Sequence, residues 1–199
     1  MTHYFTNNES LKSEFRNIVY QYNDFKFNFT SDLGVFSKDK VDYASKLLIE
    51  KYFELGKKNK KILDVGCGYG LIGITLTKIM DTNTTMIDIN KRALHLSEMN
   101  AKANKVDVLI KESNIFENID DNYDVIITNP PIRAGKKIYM TILKDAINYL
   151  TGDGELWFVM NKDHGVKSTI KELEKIYNLQ ILEKSKGFFV IVCKKRWLY

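Results

Sequence analysis

The sequence predicts an α/β fold, with a mostly parallel sheet that ends in antiparallel strands at one edge. Three observations carry that prediction. From about residue 60 onward, short runs rich in Ile and Val alternate with helical patterns, as in strands joined by crossover helices. Glycines cluster directly after the first of those runs, where a strand would turn into a helix. The last two runs, "LQILEKS" and "GFFVIVCKK", meet at a turn around Lys186 and Gly187, a connection too short for anything but antiparallel pairing.

Taken in order, the elements begin with "DFKFNFTSD", where Phe25, Phe27 and Phe29 alternate with polar residues at the period of a half-buried strand. The stretch "GVFSKDKVDYASKLLIEKYF" then turns helical, with Ser37 or Asp39 as the expected cap. Five strands follow in "KKILDVG", "TTMIDI", "VDVLIK", "YDVIITN" and "GELWFVM". Helices are expected in "KRALHLSEMNAKAN" and "KKIYMTILKDAINYL"; in the second, Tyr139, Leu143, Ala146 and Leu150 form one apolar stripe facing the sheet. A further helix near 165–177 precedes the two closing strands.

At 199 residues and 44% hydrophobic composition, the chain suits one well-cored domain over 1–199, in which 1–59 is an extension packed on a catalytic sheet in 60–199. Cys67 and Cys193 have neither disulfide nor metal spacing, and His3, His95 and His164 are scattered, so no metal is expected. The start "MTHYFTNNES" lacks a basic flank before an apolar core, and no apolar run approaches membrane-spanning length. The expectation is a soluble, cytoplasmic protein. The net charge of +5 falls entirely in 162–199, which carry nine basic and four acidic residues. That excess is either a footprint for a polyanion or a solvated helix face around "KSTIKELEK".

In "ILDVGCGYGLIG", Gly66, Gly68 and Gly70 let the backbone turn sharply and approach a ligand, and the following helix start offers free N–H donors. Asp88 ends the next strand, where a carboxylate can accept both ribose hydroxyls of an adenosyl group. Gly68, Gly70 and Gly73 also meet the G-x-G-x-x-G spacing of dinucleotide sites, so a dehydrogenase is one reading. In D-x-G-x-G-x-G, however, Asp64 puts a carboxylate where a ligand bearing an ammonium group would gain. S-adenosylmethionine has such a group and NAD does not.

The ordered set "LDVGCGYG", "MIDIN", "KESNIFENI" and "NPPI" resembles the class I S-adenosylmethionine-dependent methyltransferases over roughly residues 25–195. The resemblance implies their Rossmann-like fold, with a seven-stranded sheet, and S-adenosyl-L-methionine as cofactor. It places Asp64 and the glycines Gly66, Gly68 and Gly70 at the methionine part, Asp88 at the ribose and Asn114 at the adenine edge, with Cys67, Ile89, Ser113, Ile115 and Asn129 also counted as cofactor-binding.

"NPPI" contains the only two prolines of the chain, Pro130 and Pro131. Exocyclic and amide nitrogens are poor nucleophiles because the lone pair is delocalised, so a site that fixes their N–H groups gains by orientation. Asn129 offers a side-chain carbonyl and Pro130 a backbone carbonyl, while the prolines lock φ. In the resembling families an aromatic after Asn-Pro-Pro stacks on the substrate; here that place is Ile132. The longer strings "NPPIRAGKK" and "GVFSKDKVD" resemble the short, single-domain branch of the small-subunit (16S) ribosomal RNA guanine-N2 methyltransferases. That resemblance implies a monomer acting on ribosomal RNA within the small subunit. The resemblance puts Phe36, Ser37 and Asp42 near the cofactor and substrate mouth, where the alternative reading is core, helix cap and first-turn charge; Arg133, Lys136 and Lys137, after the catalytic loop, either contact phosphate or form a solvated helix start. Together with the aromatic amino-terminal hairpin and the basic carboxyl end, they would form the grip on RNA. The rival substrates are a release-factor glutamine and adenine N6, and the rival class is an RNA-binding module.

Overall fold

The computed structural model describes residues 13–35 and 40–196. Phe36 and Ser37, expected at the substrate mouth, and Asp39, expected with Ser37 as a cap, lie outside the described residues. The element order is β1 (Arg16–Tyr22), β2 (Phe25–Ser31), α1 (Tyr43–Leu55), β3 (Lys61–Val65), α2 (Leu71–Met80), β4 (Asn83–Asp88), α3 (Lys91–Ala103) and β5 (Leu109–Glu112). It continues through β6 (Tyr123–Thr128), α4 (Lys136–Asp145), β7 (Leu150–Asn161), α5 (Val166–Leu173), β8 (Tyr177–Ser185) and β9 (Phe188–Lys195).

β3 to β9 form one seven-stranded sheet in the order β5-β4-β3-β6-β7-β9-β8. The first five pair in parallel, and β9 runs antiparallel to both β7 and β8. Both faces are covered, which is why the strands read as near-continuous apolar runs rather than alternating ones. Ile62, Val125, Ile127 and Trp157 enter one buried cluster, while Leu63, Ile126, Leu156 and Phe158 enter the other. The stripe Tyr139, Leu143, Ala146 and Leu150 is buried in the second cluster. Chain order reverses at β3, with β4 on one side and β6 on the other, so a crevice opens at the carboxyl ends of these strands.

Several boundaries differ from the sequence expectation. The cap of α1 is Asp42, whose Oδ2 accepts from the Ser45 N–H at 2.8 Å, so the helix starts later than expected. β5 starts at Leu109 rather than near 106, and α5 stops at Leu173. The α-helical hydrogen bonding of α4 ends at Asp145, and a 3-10 turn over Ala146–Tyr149 delivers the chain into β7. β7 starts four residues early because Gly154 lets it crowd β6: a Cβ there would lie 3.0 Å from the Tyr123 carbonyl.

β1 and β2 form a separate antiparallel hairpin. Phe27 and Phe29 are buried, whereas Phe25, beside the turn, is 40% exposed. The hairpin therefore turns most of its aromatics inward, not toward an RNA. Its outer backbone is held by two amides one turn apart, Asn100 in the last turn of α3 and Asn104 at its carboxyl cap. Asn100 accepts from Thr30 N–H at 2.7 Å and donates to Thr30 O at 2.9 Å; Asn104 makes the same pair with Asn28 at 3.1 and 2.8 Å. These side chains imitate a neighbouring strand and occupy a stretch of backbone that would otherwise be an open edge.

Candidate active site

The glycine loop is tied down before any ligand is considered. Gly66 and Cys67 N–H groups donate to the Ile87 carbonyl at 2.9 and 3.0 Å, and Gly68 N–H donates to Asp88 Oδ2 at 2.9 Å. Ser97 Oγ donates to Gly68 O at 2.9 Å, and Asn100 Nδ2 to Tyr69 O at 2.8 Å. The four glycines divide by role. Gly66 and Gly68 have φ of +73° and +58°, line the crevice, and have nothing within 4 Å of where a Cβ would stand. A Cβ on Gly70 would meet Ile74 at 2.7 Å, and one on Gly73 would meet Met86 at 2.5 Å. The first pair leaves room for a ligand, and the second lets α2 pack on β4.

The crevice encloses a cavity of about 170 Å³ that opens to solvent at its mouth. Its wall contains Gly66, Cys67, Gly68, Asp88, Ile89, Ser113, Asn114, Ile115, Asn129, Pro130 and Pro131. Sequence reasoning missed Val35, Ser45, Tyr69, Ile138 and Ile142, which also line it. The apolar ones looked like ordinary core. Ser45 was signalled only by its place three residues after the cap. Tyr69 brings a buried hydroxyl without a protein partner, a group that a bound ligand would satisfy.

Asp88 Oδ1 accepts from Asn90 N–H at 2.9 Å. Burial raises its pKa, opposed by the N–H groups of Asn90, Gly68 and Ile89. With three N–H donors on its two oxygens, the carboxylate keeps one acceptor position open toward the crevice that it lines. Asn114 donates Nδ2 to Glu117 at 2.7 Å, which commits its nitrogen and leaves Oδ1 as its acceptor end. The neighbouring Ile115 has φ +55°, an outlier for a β-branched residue, with its carbonyl accepting from Ser113 Oγ at 3.0 Å. Cys67 is buried, and burial pushes its thiol well up, so it acts as a small apolar wall residue.

Three sequence candidates lie elsewhere. Asp64 is fully buried beneath the loop and off the crevice wall; its Oδ2 accepts from Gly73 N–H at 2.9 Å, while Oδ1 has no partner. Gly70 caps α2. Ile132 packs against the core cluster under α4 and does not reach the wall.

The loop after β6 is built by its prolines. Pro131 at φ −74° and ψ 76° is the centre of an inverse γ-turn, in which Ile132 N–H donates to Pro130 O at 2.8 Å. The Pro130 carbonyl is thus partly committed within the loop. Asn129 is held differently. Its Nδ2 donates to Asp42 Oδ2 and to Ser45 Oγ, both at 2.9 Å, and Ser45 Oγ donates to the same Asp42 oxygen at 3.1 Å. A carboxylate accepts only, so this clamp fixes which end of the amide is nitrogen. Asn129 Oδ1 has no donor among the described residues and is not among the buried unpartnered atoms, so it is open to the crevice whose wall Asn129 helps to form.

Beyond the mouth, Arg133 and Lys137 are exposed, with no partner among the described residues. Lys136 pairs with Glu172 at 2.9 Å, and Glu172 is pulled down to about 2 by Lys144 and Lys136. Much of the basic carboxyl end is engaged within the fold: Lys194 pairs with Glu155 at 3.0 Å, and Lys195 donates to Leu150 O at 2.6 Å. Lys186 sits over the Tyr43 ring at 4.7 Å.

The pattern of the family described as "Methyltransferase small domain" matches residues 26–192. Uncharacterized protein YbxB of Bacillus subtilis (strain 168) is 42% identical over 198 residues, covering 97% of this chain and 98% of that protein. Ribosomal RNA small subunit methyltransferase C of Photorhabdus laumondii is 35% identical over 133 residues, covering 64% of this chain and 39% of that protein. The chain thus aligns with less than half the length of that longer relative. Among solved structures, the T. thermophilus 16S rRNA N2 G1207 methyltransferase in complex with AdoMet and guanosine superposes with a TM-score of 0.83 at 25% identity, over 94% of this chain and 52% of that one. The chain belongs to the methyltransferase small-domain family, and its fold is that of the class I S-adenosylmethionine-dependent methyltransferases.

Proposed function

We propose that this protein methylates the exocyclic N2 of a guanine in small-subunit ribosomal RNA, acting as a monomer in the cytoplasm with S-adenosylmethionine as cofactor. The observation that carries the reading is the clamped Asn129, which presents an unpartnered carbonyl oxygen on the wall of the crevice that the glycine loop and Asp88 also line. The names of the related 16S enzymes support guanine N2 and the small subunit.

The residues fit the cofactor. Gly66 and Gly68 leave space at the loop, Asp88 offers an acceptor for ribose, and Asn114 offers one for adenine. Bound S-adenosylmethionine would supply an electrophilic sulfonium methyl and leave as a neutral thioether, and the proton shed by the methylated amine would pass to solvent. The protein's part is orientation. Asn129 Oδ1 holds one N–H of the amine, so the nitrogen can pyramidalise, withdraw its lone pair from conjugation with the base and turn it toward the sulfonium methyl. The Asp42 and Ser45 clamp keeps that oxygen from rotating away. A paired guanine must leave its stack to enter, at a cost of a few kcal/mol. Arg133 and Lys137 stand ready to hold phosphates beside the mouth.

The test incubates the protein and radiolabelled S-adenosylmethionine with small subunits, large subunits, naked ribosomal RNA and release factor, then digests the labelled product. The reading predicts label in N2-methylguanosine from the small-subunit arm. Label in release factor, or in N6-methyladenosine, overturns it.

A further inference from the structure

We propose that Asp42 is a specificity-determining residue that selects guanine by accepting its ring N1–H beside the amine held by Asn129. This deepens the guanine reading and rests on it. All three donors at Asp42 converge on one oxygen: Oδ2 accepts from Ser45 N–H, Ser45 Oγ and Asn129 Nδ2. Oδ1 accepts from none among the described residues. It is not among the buried unpartnered atoms, and Asp42 lines the crevice. Asn129 is in the same position, with its nitrogen committed and its oxygen open. The wall therefore carries two neighbouring side chains, each showing a bare acceptor, and both acceptors are fixed through the same carboxylate oxygen.

Two adjacent acceptors call for two adjacent donors. On guanine, N2–H and N1–H are adjacent and both donate. On adenine and cytosine, the ring nitrogen beside the amine is a lone-pair acceptor, and beside a glutamine amide nitrogen lies a carbonyl oxygen. Each of those would set a lone pair against the Asp42 carboxylate, a repulsion that rejects the wrong acceptor. Ile132 is aliphatic and partly buried against the core cluster, so it offers no aromatic face to stack on a base, and on this wall selection falls to the paired acceptors.

The test replaces the N1–H donor by a lone pair; the substitute base also lacks the 6-carbonyl, a change whose effect the Asp42 variants would leave untouched. Once wild-type labelling has located the modified guanine, small subunits are reconstituted with either guanine or 2-aminopurine at that position; 2-aminopurine keeps the amine but bears a lone pair at N1. Wild type is expected to methylate the 2-aminopurine particle at least about 100-fold more slowly in single turnover. Asp42→Asn retains an oxygen for Ser45 and Asn129 and places an NH₂ opposite N1, so the discrimination narrows about tenfold or more. Ser45→Ala, which loosens the clamp without changing the base-facing oxygen, slows both substrates alike. Asp42→Ser keeps a helix cap but removes the carboxylate, and it too loses discrimination. Equal discrimination by wild type and both Asp42 variants overturns the proposal, as does wild-type methylation of the two bases at equal rates. Label outside guanine overturns the guanine reading itself, and the role of Asp42 falls with it.

Discussion

Asp64 and Asp88 end adjacent parallel strands, yet the structure gives them different work. Burial pushes the Asp64 carboxyl from 3.8 up to about 7, opposed by Gly73 N–H and aided by the charge of Asp88. The folded protein holds a proton there that the unfolded chain releases. The stability this group contributes is therefore complete below about pH 4 and is lost as pH rises toward 7. Asp64→Asn keeps an oxygen for Gly73 and removes the titration. Urea unfolding of ligand-free protein between pH 4 and 8 should show wild type losing ground to the variant by up to about 1.4 kcal/mol per pH unit within that window. A difference independent of pH would show that the carboxyl titrates normally. Asp88→Ala removes the acceptor of the Gly68 and Asn90 N–H groups and, on the proposed reading, that of ribose. Calorimetry should find cofactor affinity weakened by about 1.5 to 3 kcal/mol, with a lower melting temperature; unchanged affinity would remove Asp88 from the site. The residue types of the site could be read from spacing alone: glycines with room for a ligand, and a carboxylate one strand away. Side-chain direction could not. Asp64 faces under the loop and Ile132 faces the core because of local φ and ψ after each strand, which residue order does not reveal.

At the scale of elements, the hairpin and α1 show what periodicity misses. Alternation at Phe25, Phe27 and Phe29 correctly implied a strand with one buried face. What it could not show was the docking of that strand by Asn100 and Asn104, because a polar residue on a helix reads equally well as solvated. The two amides predict a graded response. Asn100→Ala leaves Thr30 N–H, Thr30 O and Tyr69 O without partners, and urea unfolding should show a loss of roughly 2 kcal/mol or more. Asn104→Ala, at an exposed site, should lose about 1 kcal/mol or less. Equal small losses would mean the hairpin is held by its aromatics alone. The start of α1 was misplaced for a related reason: Ser37, Asp39 and Asp42 are all competent caps by type. Asp42 is the one whose carboxylate is also wanted by Asn129, a demand set 87 residues away.

For the whole molecule, the parallel order of the sheet was legible because strand and helix patterns alternate so regularly, and the antiparallel edge because its last turn is short. The site is a product of that topology. Reversal of strand order at β3 brings the glycine loop, the carboxyl end of β4 and the Asn-Pro-Pro loop after β6 to one crevice, and the start of α1 closes over them. The central claim is that this convergence makes Asn129 the residue that orients the methyl acceptor. It is tested most directly by single-turnover methyl transfer with Asn129→Ala on small subunits, alongside calorimetric titration of the same variant with S-adenosylmethionine. Loss of transfer with cofactor affinity preserved is the predicted result, since the missing oxygen acts on the substrate amine and not on the adenosyl group. Transfer at near wild-type rate would contradict the account and reduce the Asn-Pro-Pro loop to a turn.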